Sequence, residues 1–337
     1  MITPGVVIRP AAASDLEALH ALALSAGLGM TNLPPCRERL GGLLANSAAA
    51  LNGDRKAGSQ ILLVMEAAGE VVGTGCIFPS VGGDWPFYSY RIGRLRQTSQ
   101  ALGKVVENTI LTPVNDYDGS AEVGGLFVRP GLRGLAGGRL MARSRYLFMA
   151  EHRDWFGDRV VSELRGFQED DGRCPFWEAV GRKFYGLEFK EADRISVGAG
   201  KQVIADLGPK YPIYLNLLPP DAVQSVGKFH PDGSRAHALL TEEGFRFEGC
   251  IDIFDAGPTM VADIDSLRAV RDSRITRVAE VGPCEDGPEV LACHGAVESF
   301  RASRGQVQWT GEELRVSPEL AQALKVQPGD TIRHVEF

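Results

Sequence analysis

The 337-residue chain has little that would tie it to a membrane, a metal or a nucleic acid. Its longest uncharged apolar stretches, such as the one around Ile61 to Met65, fall far short of the roughly 20 residues that cross a bilayer. No basic segment followed by an apolar core and a small-residue cleavage site opens the chain, so no export signal is read. The six cysteines, at 36, 76, 174, 250, 284 and 293, include no CxxC pair and no histidine at ligand spacing. Reduced thiols in a cytoplasmic protein are therefore expected, with no structural metal. Basic residues are outnumbered, 36 Lys and Arg against 43 Asp and Glu, for a net charge of −7. Coating nucleic acid or an anionic membrane needs a broad basic face, which this balance argues against.

What remains is an ordinary globular composition, 44% hydrophobic with 40 glycines, long enough for two domains and a sizeable core. Val6, Val7 and Ile8 read as a strand. Ser14-Asp15 then precede Leu16, Leu19, Leu22 and Ala23 at helical spacing, with Glu17 completing a capping box on Ser14. A helix is expected over Arg37 to Leu51, after Pro34-Pro35. Ile61 to Glu66 and Val71 to Phe78 form a hairpin around Gly69, and Tyr88 to Leu95 and Glu122 to Val128 are further strands. Beyond them come a helix from Gly134 to Glu151, a strand at Val160 to Leu164, a helix at Phe176 to Tyr185, and a strand–helix–strand passage through Tyr214, Ala236 to Glu242 and Phe247 to Phe254. This alternation predicts an α/β or α+β domain, a mixed sheet with flanking helices, over residues 1–258. The break at Asp255-Ala256-Gly257-Pro258 opens a β-rich segment, 259–337, with turn signals such as Pro328-Gly329-Asp330 and the content of a small β-barrel. A faint echo links Phe176-Trp177…Gly181…Phe184-Tyr185 to Ala238-Leu239-Leu240…Gly244-Phe245 and suggests a partial duplication after about residue 186.

The segment richest in chemistry is Val123-Gly124-Gly125-Leu126-Phe127-Val128-Arg129-Pro130-Gly131-Leu132-Arg133-Gly134-Leu135-Ala136-Gly137-Gly138-Arg139-Leu140. A buried strand ends at a proline, turns through glycines and enters a helix whose free N–H groups suit a pyrophosphate. Arg129, Arg133, Arg139, Arg143 and Arg145 occur between Val123 and Ala150 with no Asp or Glu, which predicts a locally positive site. The pattern also fits a tight structural connection. A dinucleotide fold would carry its glycine loop after the first strand, and a Walker loop would need the missing Gly-Lys-Ser/Thr.

In the order Ile8-Arg9-Pro10…Asp15-Leu16, Val128-Arg129-Pro130…Arg133-Gly134, and Phe176-Trp177-Glu178…Gly181-Arg182-Lys183-Phe184, the chain resembles the GNAT superfamily of acyl-CoA transferases. The usual Arg/Gln-x-x-Gly-x-Gly/Ala signature has Ala136 at its first glycine, while Gly138 fits. Thr31-Asn32-Leu33-Pro34, Tyr90-Arg91-Ile92-Gly93, Ser162-Glu163-Leu164-Arg165-Gly166, Gly172-Arg173-Cys174-Pro175-Phe176-Trp177-Glu178, His230-Pro231 and Gly249-Cys250-Ile251-Asp252-Ile253-Phe254-Asp255-Ala256-Gly257-Pro258 narrow the resemblance to the bacterial arginine N-succinyltransferase family, from about residue 7 onward. That resemblance implies transfer of succinyl from succinyl-CoA to L-arginine, giving CoA and N2-succinyl-L-arginine, the first step of the succinylation route of arginine breakdown.

It also implies roles. Leu126, Phe127 and Val128 would meet the pantetheine arm, with the Leu126 N–H a candidate oxyanion donor; Arg133, Gly134, Gly137, Gly138 and Arg139 would hold the pyrophosphate. The Leu126 side chain reads equally well as a leucine packed in a central strand. His230 would be the proton donor to the departing thiolate, a role imidazole chemistry suits; a cap on the helix starting near Asp232 is the alternative. Tyr90, Arg91, Glu163 and Arg165 are candidates for the substrate's guanidinium and carboxylate, or else form internal Arg–Glu pairs or an exposed face. Trp85, Phe87 and Tyr88 would wall the pocket or join the core. Competing functions are transfer to ornithine or another basic amine, and a non-catalytic subunit. A homodimer, or pairing with a related subunit, is expected.

Overall fold

The computed structural model describes residues 5–26, 33–56, 58–83, 85–133, 137–196 and 206–337, with backbone alone at 132–133 and 193–196. Its strands, numbered along the chain, are β1 (Val7–Pro10), β2 (Ile61–Ala67), β3 (Glu70–Phe78), β4 (Ser89–Ser99), β5 (Lys104–Val114), β6 (Ala121–Val128), β7 (Arg159–Glu163), β8 (Ile213–Tyr214), β9 (Arg246–Asp252), β10 (Pro258–Asp263), β11 (Arg274–Val281), β12 (Glu289–His294), β13 (Arg301–Thr310), β14 (Glu313–Val316) and β15 (Thr331–Glu336). They fall into two compact units that interleave along the chain: residues 1–80, 120–160 and 263–337 form one, and 81–119 and 161–262 the other. Compactness thus divides the chain differently from a single cut at residue 258.

In the first unit β1, β2, β3 and β6 run antiparallel in that order. The β2–β3 hairpin turns through Ala68 and Gly69, both at positive φ as a two-residue loop requires. Leu62, Val64 and Cys76 pack under the helices Leu16–Ala26 and Arg37–Leu51 through Leu19, Leu22, Leu40 and Leu44. The helix Gly137–Glu151 lies against β3 at Gly75, through Met141 and Arg145. The expected capping box does not form on Ser14. Asp15 instead accepts the Ala12 N–H and two bonds from Arg9, while Glu17 takes Arg37.

The C-terminal strands close into a barrel, each paired with the next in the circuit β12–β15–β11–β14–β13–β12. Alternate inward residues, among them Val278, Val290, Val307, Leu314 and Ile332, fill it together with Leu320 and Leu324 of the helix Pro318–Leu324, whose N-cap Ser317 accepts the Leu320 N–H. β13 also pairs with β1, Ile8 opposite Ala302.

The second unit has the strand order β7–β10–β9–β4–β5–β8. Its core is aromatic: Trp177 stacks with Tyr185 at 5.4 Å and with Phe254 at 5.7 Å, the three rings forming a cluster, and its indole N–H donates to the Leu187 carbonyl. The helix expected over Phe176 to Tyr185 is two short pieces, Pro175–Ala179 and Gly181–Tyr185, broken at Val180. The chain then enters another helix, Phe189–Ser196, so the echo with Ala238 to Phe245 does not extend to a following strand.

Candidate active site

Between β3 and β6 the register slips. Thr74 faces Phe127 and Cys76 faces Gly124, so the single residue Gly75 stands opposite both Gly125 and Leu126. Gly125 has φ +56°, and a glycine in the left-handed region at the first position makes this a β-bulge of the glycine type. A bulge takes backbone out of the ladder and bends its strand, and here it does so at half-buried Leu126, the residue the sequence offers for an acyl-CoA thioester. Phe127 and Val128 are buried beyond it. The chain continues through a short helix, Pro130–Arg133, to the fifteen-residue helix Gly137–Glu151. Gly137 is buried, and Gly138 and Arg139 are half-buried in its first turn, where free N–H groups and the helix dipole favour an anion. Gly134 and the Arg133 side chain lie outside the described residues.

The expectation of five arginines around this loop is corrected. Arg129 pairs with Glu70 at 3.1 Å. Arg143 is buried, donating to the Glu336 carbonyl. Arg145 is buried beneath the bulge. Helical geometry explains this: the apolar face that covers the sheet includes positions 141, 145 and 148, so Arg145 points inward. Arg139, on the first turn, is the described arginine of this group that remains near the helix N-terminus.

In the second unit, His230 is the N-cap of a 3-10 turn, Pro231–Gly233. Its Nδ1 accepts the Asp232 N–H at 3.2 Å and lies 3.5 Å from Asp232 Oδ2. The capping role is therefore present, and it orients the ring so that Nε2 is the nitrogen left for chemistry. The His230 N–H donates to the Arg165 carbonyl at 2.7 Å, and Phe229 bridges Gly166. Two sequence candidates 65 residues apart are thus joined through the backbone.

A knot of carboxylates holds this junction. Asp255 accepts the Gly166 N–H at 2.7 Å and the Gly257 N–H at 2.8 Å, and Asp252 accepts the Phe254 and Asp255 N–H groups. Withdrawal from water, followed by the neighbouring Asp252 charge, pushes Asp255 up to about 8; Asp252 is raised as well, chiefly by burial. Both causes disfavour the doubly charged pair and favour a proton held on one of the two carboxylates. Because the folded pKa exceeds the unfolded one, the folded state binds more protons between about pH 4 and 8, and stability falls as pH rises through that range. An Asp252→Asn variant, which mimics the protonated partner, is expected to flatten the loss of urea midpoint between pH 6 and pH 9. An unchanged slope would remove the pair as its source.

The other candidates are placed as follows. Tyr90 is buried in the aromatic core, edge-on to Phe176 at 6.2 Å, and burial raises its phenol above the usual range. Arg91 pairs with Asp116 at 2.6 Å, both side chains partly open to solvent. Glu163 ends β7, half-buried, and the Arg165 side chain is exposed beside Gln168. Phe87 and Tyr88 pack against hydrophobic clusters, while Trp85 is 40% exposed. Asp252 and Asp255 carry no separate signal in the sequence, and Arg145 stands there only as one of five arginines. Asp252 and Asp255 stand within the Gly249–Pro258 motif, but Gly166, whose N–H donates to Asp255, is 89 residues distant from it. Among the described residues no group of three metal-ligating side chains occurs, and no helix is long and apolar enough to cross a membrane. Burial pushes Cys76 and Cys174 up to about 12, so both stay protonated thiols.

Comparison with known proteins supplies the context for this geometry. The family model described as "Arginine N-succinyltransferase beta subunit" matches residues 6–269, and that of its C-terminal domain matches 274–336. The arginine N-succinyltransferase subunit beta of Pseudomonas aeruginosa is 36% identical over 98% of both chains. The arginine N-succinyltransferase of Escherichia coli is 37% identical, again over 98% of both. The solved structure of arginine/ornithine succinyltransferase subunit AI from Pseudomonas aeruginosa superposes with a TM-score of 0.89 at 34% identity, covering 99% of each chain.

Proposed function

Because the chain belongs to the arginine N-succinyltransferase family, we propose that it transfers the succinyl group of succinyl-CoA to the α-amino group of L-arginine in the cytoplasm. An acyl-CoA is the cosubstrate, and the observation that carries the reading in this chain is the bulge at Gly125-Leu126 running into a helix N-terminus.

Each residue then has a task. The N–H groups around Gly137 and Gly138, with Arg139, Arg133 and Gly134, hold the pyrophosphate. Leu126, Phe127 and Val128 line the pantetheine, and the Leu126 N–H donates to the oxyanion. One such donor lowers the barrier by about 3 kcal/mol. The neutral amine attacks the thioester carbonyl, a C–N bond forms, the C–S bond breaks, and the amine loses a proton. The amine's proton leaves to solvent. His230, protonated on both nitrogens with its Nδ1–H facing Asp232 Oδ2 at 3.5 Å, gives its Nε2 proton to the thiolate. The ring then exchanges its Nδ1 proton for one at Nε2 through solvent before Nδ1 again accepts the Asp232 N–H. Glu163 supplies a carboxylate for the guanidinium and Arg165 a cation for the α-carboxylate.

Ornithine is the second reading, favoured by the name of the Pseudomonas structure, which covers both amino acids. Assembly as a homodimer or with a related subunit follows the common pattern. A thiol-release assay with succinyl-CoA or acetyl-CoA, against arginine, ornithine and lysine, tests all of this. Succinyl-CoA with arginine is expected to release CoA fastest. Absence of CoA release with every amine tested would leave a non-catalytic subunit, and a preference for acetyl-CoA would remove the succinyl assignment.

A further inference from the structure

Beneath the bulge lies a charge that packing does not call for. Arg145 reaches in from the helix Gly137–Glu151, and its Nη1 donates to the Gly124 carbonyl at 3.2 Å and, more weakly, to the Cys76 carbonyl at 3.5 Å. These two residues are the last regular register pair before the slip. Gly75 makes the approach possible. A Cβ there would sit 2.9 Å from Met141 Sδ and 3.3 Å from Arg145 Cδ. The residue is 3% exposed, its Nε is buried without a partner, and among the described residues it forms no ion pair.

Burying an unpaired charge costs several kcal/mol, and an apolar side chain of similar shape is often as stable or more so. Stability therefore gives no reason for arginine here, whereas the location does. A guanidinium that grips both strands at the edge of a bulge fixes the orientation of the peptides that follow, and Leu126 is two residues on. Its positive charge, in a low-dielectric interior, also favours negative charge at that backbone.

We propose that Arg145 is a positioning residue for acyl transfer, which clamps the Gly124–Cys76 pair so that the bulge presents the Leu126 N–H to the developing oxyanion. The inference rests on the acyl-transfer reading above. It predicts an effect on the transition state and none on ground-state cofactor binding. Arg145→Met is expected to lower kcat by about 10- to 30-fold, with the KM for succinyl-CoA and the calorimetric Kd for CoA within about twofold of wild type. Arg145→Lys, which keeps the charge, is expected to recover part of the rate. If Arg145→Met fails to fold, Arg145→Gln, a neutral donor to the same carbonyls, takes its place, with intermediate kcat expected.

Full kcat in the folded Met or Gln variant overturns the proposal. So does a fall in kcat accompanied by an equal loss of CoA affinity, which marks a merely structural role. Gly125→Ala, which strains the bulge itself, separates the two layers. If it lowers kcat while Arg145→Met or →Gln does not, the oxyanion reading stands and the role of Arg145 falls. If neither variant matters while wild type is active, both fall.

Discussion

Replacing His230 by alanine is expected to lower kcat by about 10²-fold or more, with succinyl-CoA and arginine still bound. Alanine removes two things at once, the proton donor and the cap that accepts the Asp232 N–H. The cap alone accounts for a stability loss on the order of 1 kcal/mol. Asparagine separates the roles, since its side-chain oxygen caps a helix turn as well as any residue but offers no proton to a thiolate. His230→Asn should therefore keep wild-type thermal stability and share the kinetic defect of His230→Ala. Steady-state thiol release and thermal melts on both variants decide the matter. Near-normal turnover in His230→Asn would reduce the residue to a cap.

The second large effect is structural. A methyl group at Gly166 would lie 2.2 Å from the Asp255 carbonyl oxygen and 2.6 Å from its Oδ1. Both belong to a segment tied down by hydrogen bonds from Gly166 and Gly257, so neither atom can yield cheaply. Gly166→Ala is expected to cost about 3 kcal/mol of unfolding free energy, read as a lower urea midpoint. It should also depress kcat, because the displaced segment carries the Arg165 carbonyl that holds the His230 N–H. Gly41→Ala provides the control: nothing lies within 4 Å of its would-be Cβ, inside the helix Arg37–Leu51, and alanine there is expected to stabilise by up to about 1 kcal/mol. Equal midpoints for Gly166→Ala and wild type would show that the carboxylate knot is loose.

These expectations draw on different depths of information. The helix Arg37–Leu51 and the β2–β3 hairpin were legible because a periodic apolar pattern and a turn sit within a few residues of one another. The strand β5 was not, because Lys104 to Asn108 pairs across a hairpin that leaves Val105 and Val106 exposed, without apolar alternation. Likewise the glycines of the 123–140 segment announced a close backbone approach, yet the bulge depends on the register of β6 against β3, which no local pattern sets. Arg143 and Arg145 read as part of a basic loop. Only packing of their helix on the sheet turned both inward.

Local chemistry by itself determined the α/β character, the β-rich end, the glycine turn feeding a helix, and the residue motifs that mark an arginine N-succinyltransferase. Each is a property of neighbouring residues, carried by side-chain periodicity, backbone permissiveness or a run of identities. The tertiary structure alone decided which distant groups meet. It interleaved the two compact units, closed the C-terminal strands into a barrel, set Asp255 on Gly166 and Arg165 on His230, and buried a guanidinium under the bulge. Contacts between residues far apart in sequence depend on strand register and on the space a missing Cβ leaves, and both are settled only when the sheet assembles.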